Sequence, residues 1–569
     1  MSVHLRPRLT FLAFLLVPIA LLLIWRLLDI QVVHGAAYRQ QAAQERMRNL
    51  VLPEPPRGSI SDLHGFPLAV SEPRYTVWAR PRDIPNIGAV AEALAPILQI
   101  PADTLSSTMA HTASNVILTS FASWDQGEQI RAMRIGGVWT TLWWIRRYPH
   151  RSLASSLLGF TAYSGEGFYG LEGYYDRVLR PQKVQMVIET DPSGFRPLPC
   201  EEHRVPPSQR GNHLVLTLDL AIQMAAEEEL ARGLQEFGAE RGLIIVMDPR
   251  TGAILALAVQ PSFDPNDYQR YLNEGQEEVF LNPAVNTQYE PGSIFKIITL
   301  AGALDSGTVS PQFTYVDTGR IEVGGQMITN WDHHAYGEQD LVGLMGHSLN
   351  VGAVTLALRM GPGTFYRYVR TFGFGQPTGV DLQGEVAGTV HMPGDLDWYD
   401  SYLGTNTYGQ AIAVTPMQMA AAVAAVANGG RLVRPYVVAR QIRPDGSVLD
   451  SRPVVRGQPI SPETAQTVTE ILAQATERYL PQATVPGYRV AGKTGTAQIP
   501  VPGGYDPRGT IASFVGYGPV ENPQLLILVR LDRPRTSPWA SQTAALVFQR
   551  LATRLFPIVF ARLVGLPIQ

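Results

Sequence analysis

Ser293 and Lys296 stand three residues apart in Tyr-Glu-Pro-Gly-Ser-Ile-Phe-Lys, residues 289–296. Pro291 and Gly292 are turn residues, so Ser293 is expected to open a helix running through Ile297, Ile298 and Leu300, with Ser293 and Lys296 on one face. A serine hydroxyl is a poor nucleophile until a base takes its proton. A lysine does this once burial or a nearby cation lowers its pKa, and the positive end of the helix suits an oxyanion. Alone, the same residues would also be written by a helix cap followed by a surface lysine. Ser348-Leu349-Asn350 adds a hydroxyl that can relay a proton or bond an amine, and an amide that can hold a peptide carbonyl. Lys493-Thr494-Gly495-Thr496 adds an ammonium and two hydroxyls suited to a carboxylate. It lies between Tyr488-Arg489-Val490 and Ala497-Gln498-Ile499, a strand-like context in which a glycine lets a ligand backbone approach closely.

Composition strengthens this set. The 569 residues include 46 Lys plus Arg, of which only Lys183, Lys296 and Lys493 are lysine. Arginine thus serves wherever a generic positive charge is wanted. It holds its proton in a protein, whereas a buried lysine can lose it. Two of the three lysines occupy the two motifs that require one, and the motifs follow in order at gaps of 55 and 145 residues. The net charge of −3, without acidic or basic runs, argues against a nucleic-acid-binding face. The single cysteine, Cys200, excludes an intramolecular disulfide and a Cys-rich metal site.

The surrounding elements can be read coarsely. Leu9 to Trp25 is apolar except for Thr10, long enough for a short membrane span, with Arg6 and Arg8 before it. Pro18 is tolerable in such a helix. Asp29 to Leu50 reads as an amphipathic helix, broken at Pro53, Pro55 and Pro56. Residues 57–211 show no catalytic spacing; Val116 to Ser120 reads as a strand, and Trp139, Trp143 and Trp144 as core. From Gly211 on, Asp219 caps a helix over Ala221 to Leu234. Gly242 to Val259 forms a hairpin turning at Pro249 to Gly252. Thr415 caps an Ala-rich helix that stops at Gly429-Gly430. A further hairpin turns at Asp445-Gly446, and late strands cover Ser513 to Tyr517 and Leu525 to Leu531. Hairpin strands at both ends with helices between imply an α+β domain whose antiparallel sheet joins the start and end of the domain.

The three motifs form the signature of penicillin-interacting serine enzymes. The sequence resembles the class B penicillin-binding proteins, monofunctional peptidoglycan D,D-transpeptidases, over nearly the whole chain. The resemblance includes Pro56 to Asp62, Tyr169 to Asp176, Val246 to Ala258, Asn282 to Lys296, Thr407 to Gln418 and Ser513 to Pro519. The wording around Ser293 is most similar to the cell-division branch. The fold it implies is a serine β-lactamase-like transpeptidase domain behind an elongated mixed α/β pedestal and one N-terminal transmembrane helix. The boundaries expected are 1–8 for a cytoplasmic tail, 9–28 for the anchor, 29–56 juxtamembrane, 57–211 for the pedestal, 212–560 for the transpeptidase domain and 561–569 for a tail.

By this resemblance Ser293 would attack the penultimate D-alanine carbonyl of a stem peptide, with Lys296 as base. Ser348 and Asn350 would shuttle protons and hold the peptide. Lys493, Thr494, Gly495 and Thr496 would bind the terminal carboxylate, which β-lactam antibiotics mimic, and the amides of Ser293 and Thr496 would form the oxyanion hole. No cofactor or metal is implied. The implied partners are peptidoglycan stem peptides, a membrane-embedded glycan polymerase within a division or elongation complex, and the inner (cytoplasmic) membrane through a single span, with the catalytic domain outside the cytoplasm. Two departures stand out. Asp62-Leu63-His64-Gly65 replaces the usual Asp-Arg-x-Gly, and Pro538-Trp539-Ala540-Ser541 stands where a Gly pair is common. A serine β-lactamase fits less well, because no Glu-x-x-x-Asn-like element follows Ser348. A D,D-carboxypeptidase would be separable only by assay. A β-lactam sensor would need a cytoplasmic effector, for which eight residues before the anchor leave no room.

Overall fold

The computed structural model describes residues 5–38, 47–51, 55–111, 114–181, 185–189 and 210–564. Lys183 and Cys200 lie outside them. The chain divides into two compact units, one of 1–55, 74–143 and 181–210, the other of 56–73, 144–180 and 211–569.

In the first unit the helix Leu5–Leu28 carries Pro18. It continues into a π-helical turn at Asp29–Val33, so the expected helix over Asp29 to Leu50 does not run through. Met47–Val51 is instead a strand, paired antiparallel with Gln185–Glu189, and residues 39–46 lie outside the described ones. Among the described residues one helix is long and apolar enough to cross a membrane, with its apolar window at Leu16–Val33. The remainder is a small α/β body. Helices Ile87–Leu98, Ala102–Ala110 and Trp124–Met133 pack Ala91, Leu94, Leu98, Leu105, Met109 and Ile130 against Tyr75, Val77, Leu118 and Ala122 of the paired strands Pro67–Ala79 and Val116–Ala122. Pro96 sits inside its helix without ending it. Trp139 and Trp143 are half-buried rather than core: Trp139 stacks on Trp78, and Trp143 leans on Phe121 and donates to the Ser120 carbonyl at 2.9 Å.

The second unit is built on a five-stranded antiparallel sheet in the spatial order Ile254–Gln260, Arg241–Met247, Leu525–Asp532, Gly504–Gly518, Ala491–Val501. The first and last strands of this sheet in chain order, Arg241–Met247 and Leu525–Asp532, pair with each other, as the hairpin pattern implied. The apolar runs are continuous because helices cover both faces. Leu243, Ile245 and Met247 enter one core with Val515, Tyr517, Leu526 and Leu528. Ile244 and Val246 enter the other with Ala512, Phe514, Ile527 and Val529. Helices Leu220–Phe237 and Ala544–Val564 cover this second face; the latter runs past the expected boundary at 560 and buries Leu551, Leu555 and Phe556. On the first face lies Pro416–Ala427, whose twelve residues are all buried; Thr415 and Gln418 form its capping box.

Residues 57–73 and 144–180, assigned from sequence to the pedestal, pack in this second unit. Ile60, Leu68, Tyr148, Leu157, Leu158, Leu171 and Leu179 belong to the same core as the sheet and the Ala-rich helix. A buried ion cluster fixes them. Glu172, 0% exposed, accepts from Arg57 and Arg146, each at 2.7 Å, and Arg57 also reaches Asp176 at 2.8 Å. Burial opposes ionisation of Glu172, but the charges of Arg146 and Arg57 hold its carboxyl below the usual range. Removing one partner of a buried pair leaves the others uncompensated and costs about 3–5 kcal/mol. Glu172→Gln is therefore expected to lower the stability of the whole second unit by that order, read as a fall in its Tm and denaturation midpoint; a shift under about 1 kcal/mol would show that the cluster is not structural.

Candidate functional site

Ser293 lies on the 3-10 turn Gly292–Phe295, which leads directly into the α-helix Lys296–Asp305, so it precedes the expected helix rather than opening it. The turn is held from both sides. Tyr289 and Val414 exchange backbone hydrogen bonds at 2.9 Å, and Gly292 N donates to the Gly409 carbonyl at 3.0 Å. Gly409 has φ +76°, and a Cβ there would lie 2.3 Å from the Gly292 carbonyl oxygen. Ile294 and Phe295 are buried while Ser293 stays partly open, which leaves the hydroxyl as the turn's accessible chemistry.

Ser348 closes the helix Leu341–His347 in left-handed backbone, φ 61°, and Asn350 opens the helix Asn350–Thr371. For a serine this conformation is strained by about 1–2 kcal/mol, and it aims the two side chains of the junction at Lys296. Lys296 Nζ donates to the Ser348 carbonyl at 2.6 Å, to Asn350 Oδ1 at 2.8 Å and to Ser348 Oγ at 3.3 Å. The Asn350 amide is oriented in turn by the Thr329 carbonyl at 2.9 Å. Lys493, on the edge strand Ala491–Val501, donates to the same Ser348 Oγ at 2.9 Å and to the carbonyl and hydroxyl of Thr494 at 3.2 and 3.3 Å. One hydroxyl therefore stands between two amines. Thr494 and Thr496 are partly exposed, and the Thr496 hydroxyl accepts from Ala540 N at 3.2 Å.

Gly495 has a different reason from the one read in the sequence. A Cβ there would lie 2.8 Å from the Pro291 carbonyl oxygen, 2.6 Å from Ser513 Oγ and 3.1 Å from Ile294 Cγ2. The glycine lets the edge strand lie against the turn that carries Ser293, so the protein's own backbone makes the close approach.

Lys296 and Lys493 are each 1% exposed. Burial disfavours an ammonium. Desolvation lowers the Lys296 pKa well below its ordinary value, and the neighbouring Lys493 charge lowers it further. Desolvation brings Lys493 to about 7. Lys296 is thus the amine that loses its proton first and Lys493 the one that keeps its charge below neutrality. Ser293 makes no side-chain hydrogen bond among the described residues, Lys296 included. Catalytic hydrogen bonds are often long until substrate seats.

Sequence reading did not single out three neighbours of the site. Tyr408 places its ring 6.0 Å from Lys296 Nζ. Glu290 is buried and accepts from Ala411 N and the Tyr505 hydroxyl, tying the Ser293 turn to the hairpin of the edge strand. Trp331 donates to the carbonyl of His347, next to Ser348. Only Glu290, a carboxylate three residues before Ser293, carried a local signal.

The chain matches the family model for the penicillin binding protein transpeptidase domain over residues 242–553, and that for the penicillin-binding protein dimerisation domain over 53–216. It is 34% identical to the stage V sporulation protein D of Bacillus subtilis over 544 residues, covering 94% of this chain and 83% of that protein. It is 28% identical to the peptidoglycan D,D-transpeptidase FtsI homolog of Mesostigma viride, covering 94% and 93%. The crystal structure of penicillin binding protein 3 from Mycobacterium tuberculosis complexed with aztreonam aligns with a TM-score of 0.69 at 28% identity, over 91% of this chain and 98% of that one.

With only three lysines in the chain, carbon-13 labelling of lysine gives an NMR spectrum in which each can be followed. Lys493 is expected to titrate near pH 7, and the Lys296 midpoint is expected well below that of an ordinary lysine, lowered by burial and by the Lys493 charge. Lys493→Ala removes a like charge and should raise the Lys296 midpoint. An unmoved midpoint would mean that the two amines do not sense each other.

Proposed function

This chain belongs to the class B penicillin-binding proteins, peptidoglycan D,D-transpeptidases of cell-wall synthesis that bind β-lactams, and from that premise we propose that its acyl-enzyme forms on Ser293 with Lys296 as base. The observation that carries this reading is the pair of buried lysines sharing the Ser348 hydroxyl beside the open Ser293.

As substrate seats, neutral Lys296 turns to Ser293 and takes its proton. Ser293 Oγ bonds to the carbonyl carbon of the penultimate D-alanine, and the oxyanion meets amide donors at the 3-10 turn and the edge strand. The bond to the terminal D-alanine nitrogen then breaks. The Ser348 hydroxyl, within reach of both amines, hands a proton to that nitrogen and regains one from Lys296. Charged Lys493 with Thr494 and Thr496 holds the terminal carboxylate, and Asn350 holds the peptide. An amine of a neighbouring stem peptide then attacks the ester and gives up a proton to Lys296, which returns it to Ser293 Oγ as the ester bond breaks, leaving a cross-link. In a β-lactam the cleaved amide lies in a ring, so the leaving nitrogen stays tethered and the ester persists.

The apolar N-terminal helix fits a single-pass anchor. We place it in the inner membrane with the catalytic unit outside the cytoplasm, serving septal synthesis beside a membrane-embedded glycan polymerase. The arginines before the apolar run support the orientation, and the residues around Ser293 support the division branch.

Ser293→Ala should abolish covalent labelling by fluorescent penicillin while leaving the Tm unchanged; labelling at full level in that variant would sink the assignment. Lys296→Arg keeps the charge but cannot act as base, so acylation should fall by roughly 10²–10⁴. The acylation constant should also fall as pH rises through about 7, where free Lys493 loses the proton that binds carboxylate. Lys493→Arg should remove that alkaline limb; a limb that persisted in the variant would place it on another group.

A further inference from the structure

Trp331 and Trp539 keep 49% and 39% of their surface exposed, yet their rings meet edge to face with centroids 4.9 Å apart. Each is fixed to a different wall of the cleft. Trp331 Nε1 donates to the His347 carbonyl at 3.0 Å, one residue before Ser348. It also follows Asn330, whose buried amide accepts from Val351 N and donates to Asp317. Trp539 lies on the opposite wall. Its N–H reaches Ser537 Oγ at 3.2 Å, its carbonyl accepts from Thr543 Oγ1 at 2.9 Å, and the next amide, Ala540 N, donates to Thr496 Oγ1. The ring pair therefore joins the Ser348 wall to the Thr496 strand. Because Thr496 accepts from Ala540, its own hydroxyl proton remains free for a ligand carboxylate.

We propose that Trp331 and Trp539 form an aromatic bar beyond the carboxylate subsite and make the enzyme selective for ligands that end there. The inference rests on the carboxylate subsite proposed above. A free D-alanine terminus fits, since nothing follows its carboxylate. A penicillin fits, since only methyl groups flank the carbon bearing its carboxylate. A cephalosporin with a large ring on C3 does not, since C3 is bonded to the carbon that bears the carboxylate and its substituent leaves the cleft beside Thr496. Two indoles in contact leave that exit narrow; the Trp331 indole is tied to its wall by the His347 carbonyl, and Trp539 is held to its own through its backbone N–H and carbonyl.

The experiment measures acylation constants of the full-length protein for benzylpenicillin and for a cephalosporin carrying a bulky heteroaromatic C3 group, with mass mapping of the adduct. Trp539→Gly should raise the cephalosporin-to-penicillin ratio tenfold or more, and Trp331→Ala, on the other wall, should raise it in the same direction. Trp539→Phe, which keeps a ring, should change the ratio less than threefold. A ratio that stays constant in both truncations overturns the bar. A ratio that falls also overturns it, because the indoles would then be holding the C3 ring instead of excluding it. Should Trp539→Gly fail to fold, Trp331→Ala decides by the same criterion. Absence of an adduct on Ser293 in the unsubstituted protein would instead overturn the site reading.

Discussion

Two lysines are held in the same dry space with one serine hydroxyl between them, and the rest of the candidate site is arranged around that pair. An ammonium taken from water loses several kcal/mol of solvation, and a second positive charge nearby adds repulsion. The arrangement can relieve that cost by releasing one proton, and Lys296 is where burial and repulsion act together. In the proposed mechanism this otherwise awkward pair supplies a base for Ser293 and a cation for a carboxylate. Arginine cannot take part in such an exchange, which accounts for lysine at these two positions in a chain that uses arginine almost everywhere else.

The rest of the catalytic unit can be understood as what brings three separate backbones close enough to enclose that pair. Gly495 lets the edge strand touch the turn at Pro291, and Gly409 lets the segment before the Ala-rich helix touch Gly292. Side chains at either place would push the walls apart by more than a hydrogen bond can tolerate. Ser348 contributes by a strained backbone at a helix junction, and the strain persists because Asp340 caps the preceding helix and Asn350 is held by the Thr329 carbonyl. Rigid packing behind these contacts, above all the fully buried Ala-rich helix, keeps the distances short.

The same packing explains why the catalytic unit is larger than its motifs suggest. Segments 56–73 and 144–180 contribute leucines to the core beneath the sheet and bury Glu172 between two guanidinium groups. They contain no catalytic spacing, and they support the site through the core they complete.

The sequence by itself singled out the residues that meet at the candidate site and the main elements around them. Scarcity of lysine, the order of the three motifs, the Asp219 and Thr415 caps and the apolar hairpin runs are all local signals, written within a few residues of where they act. The tertiary structure decided what depends on distant partners. Gly495 read as room for a ligand and proved to be room for the protein's own turn, because Pro291 lies two hundred residues away in the chain. Trp139 and Trp143 read as core by composition and lie only half-buried, since burial is set by what packs over a strand and not by the strand itself. The division of 57–211 between two units, and the meeting of Trp331 with Trp539, likewise follow from long-range contacts. Periodicity and capping are short-range properties of the chain; which surfaces close on one another is fixed only when the whole core packs.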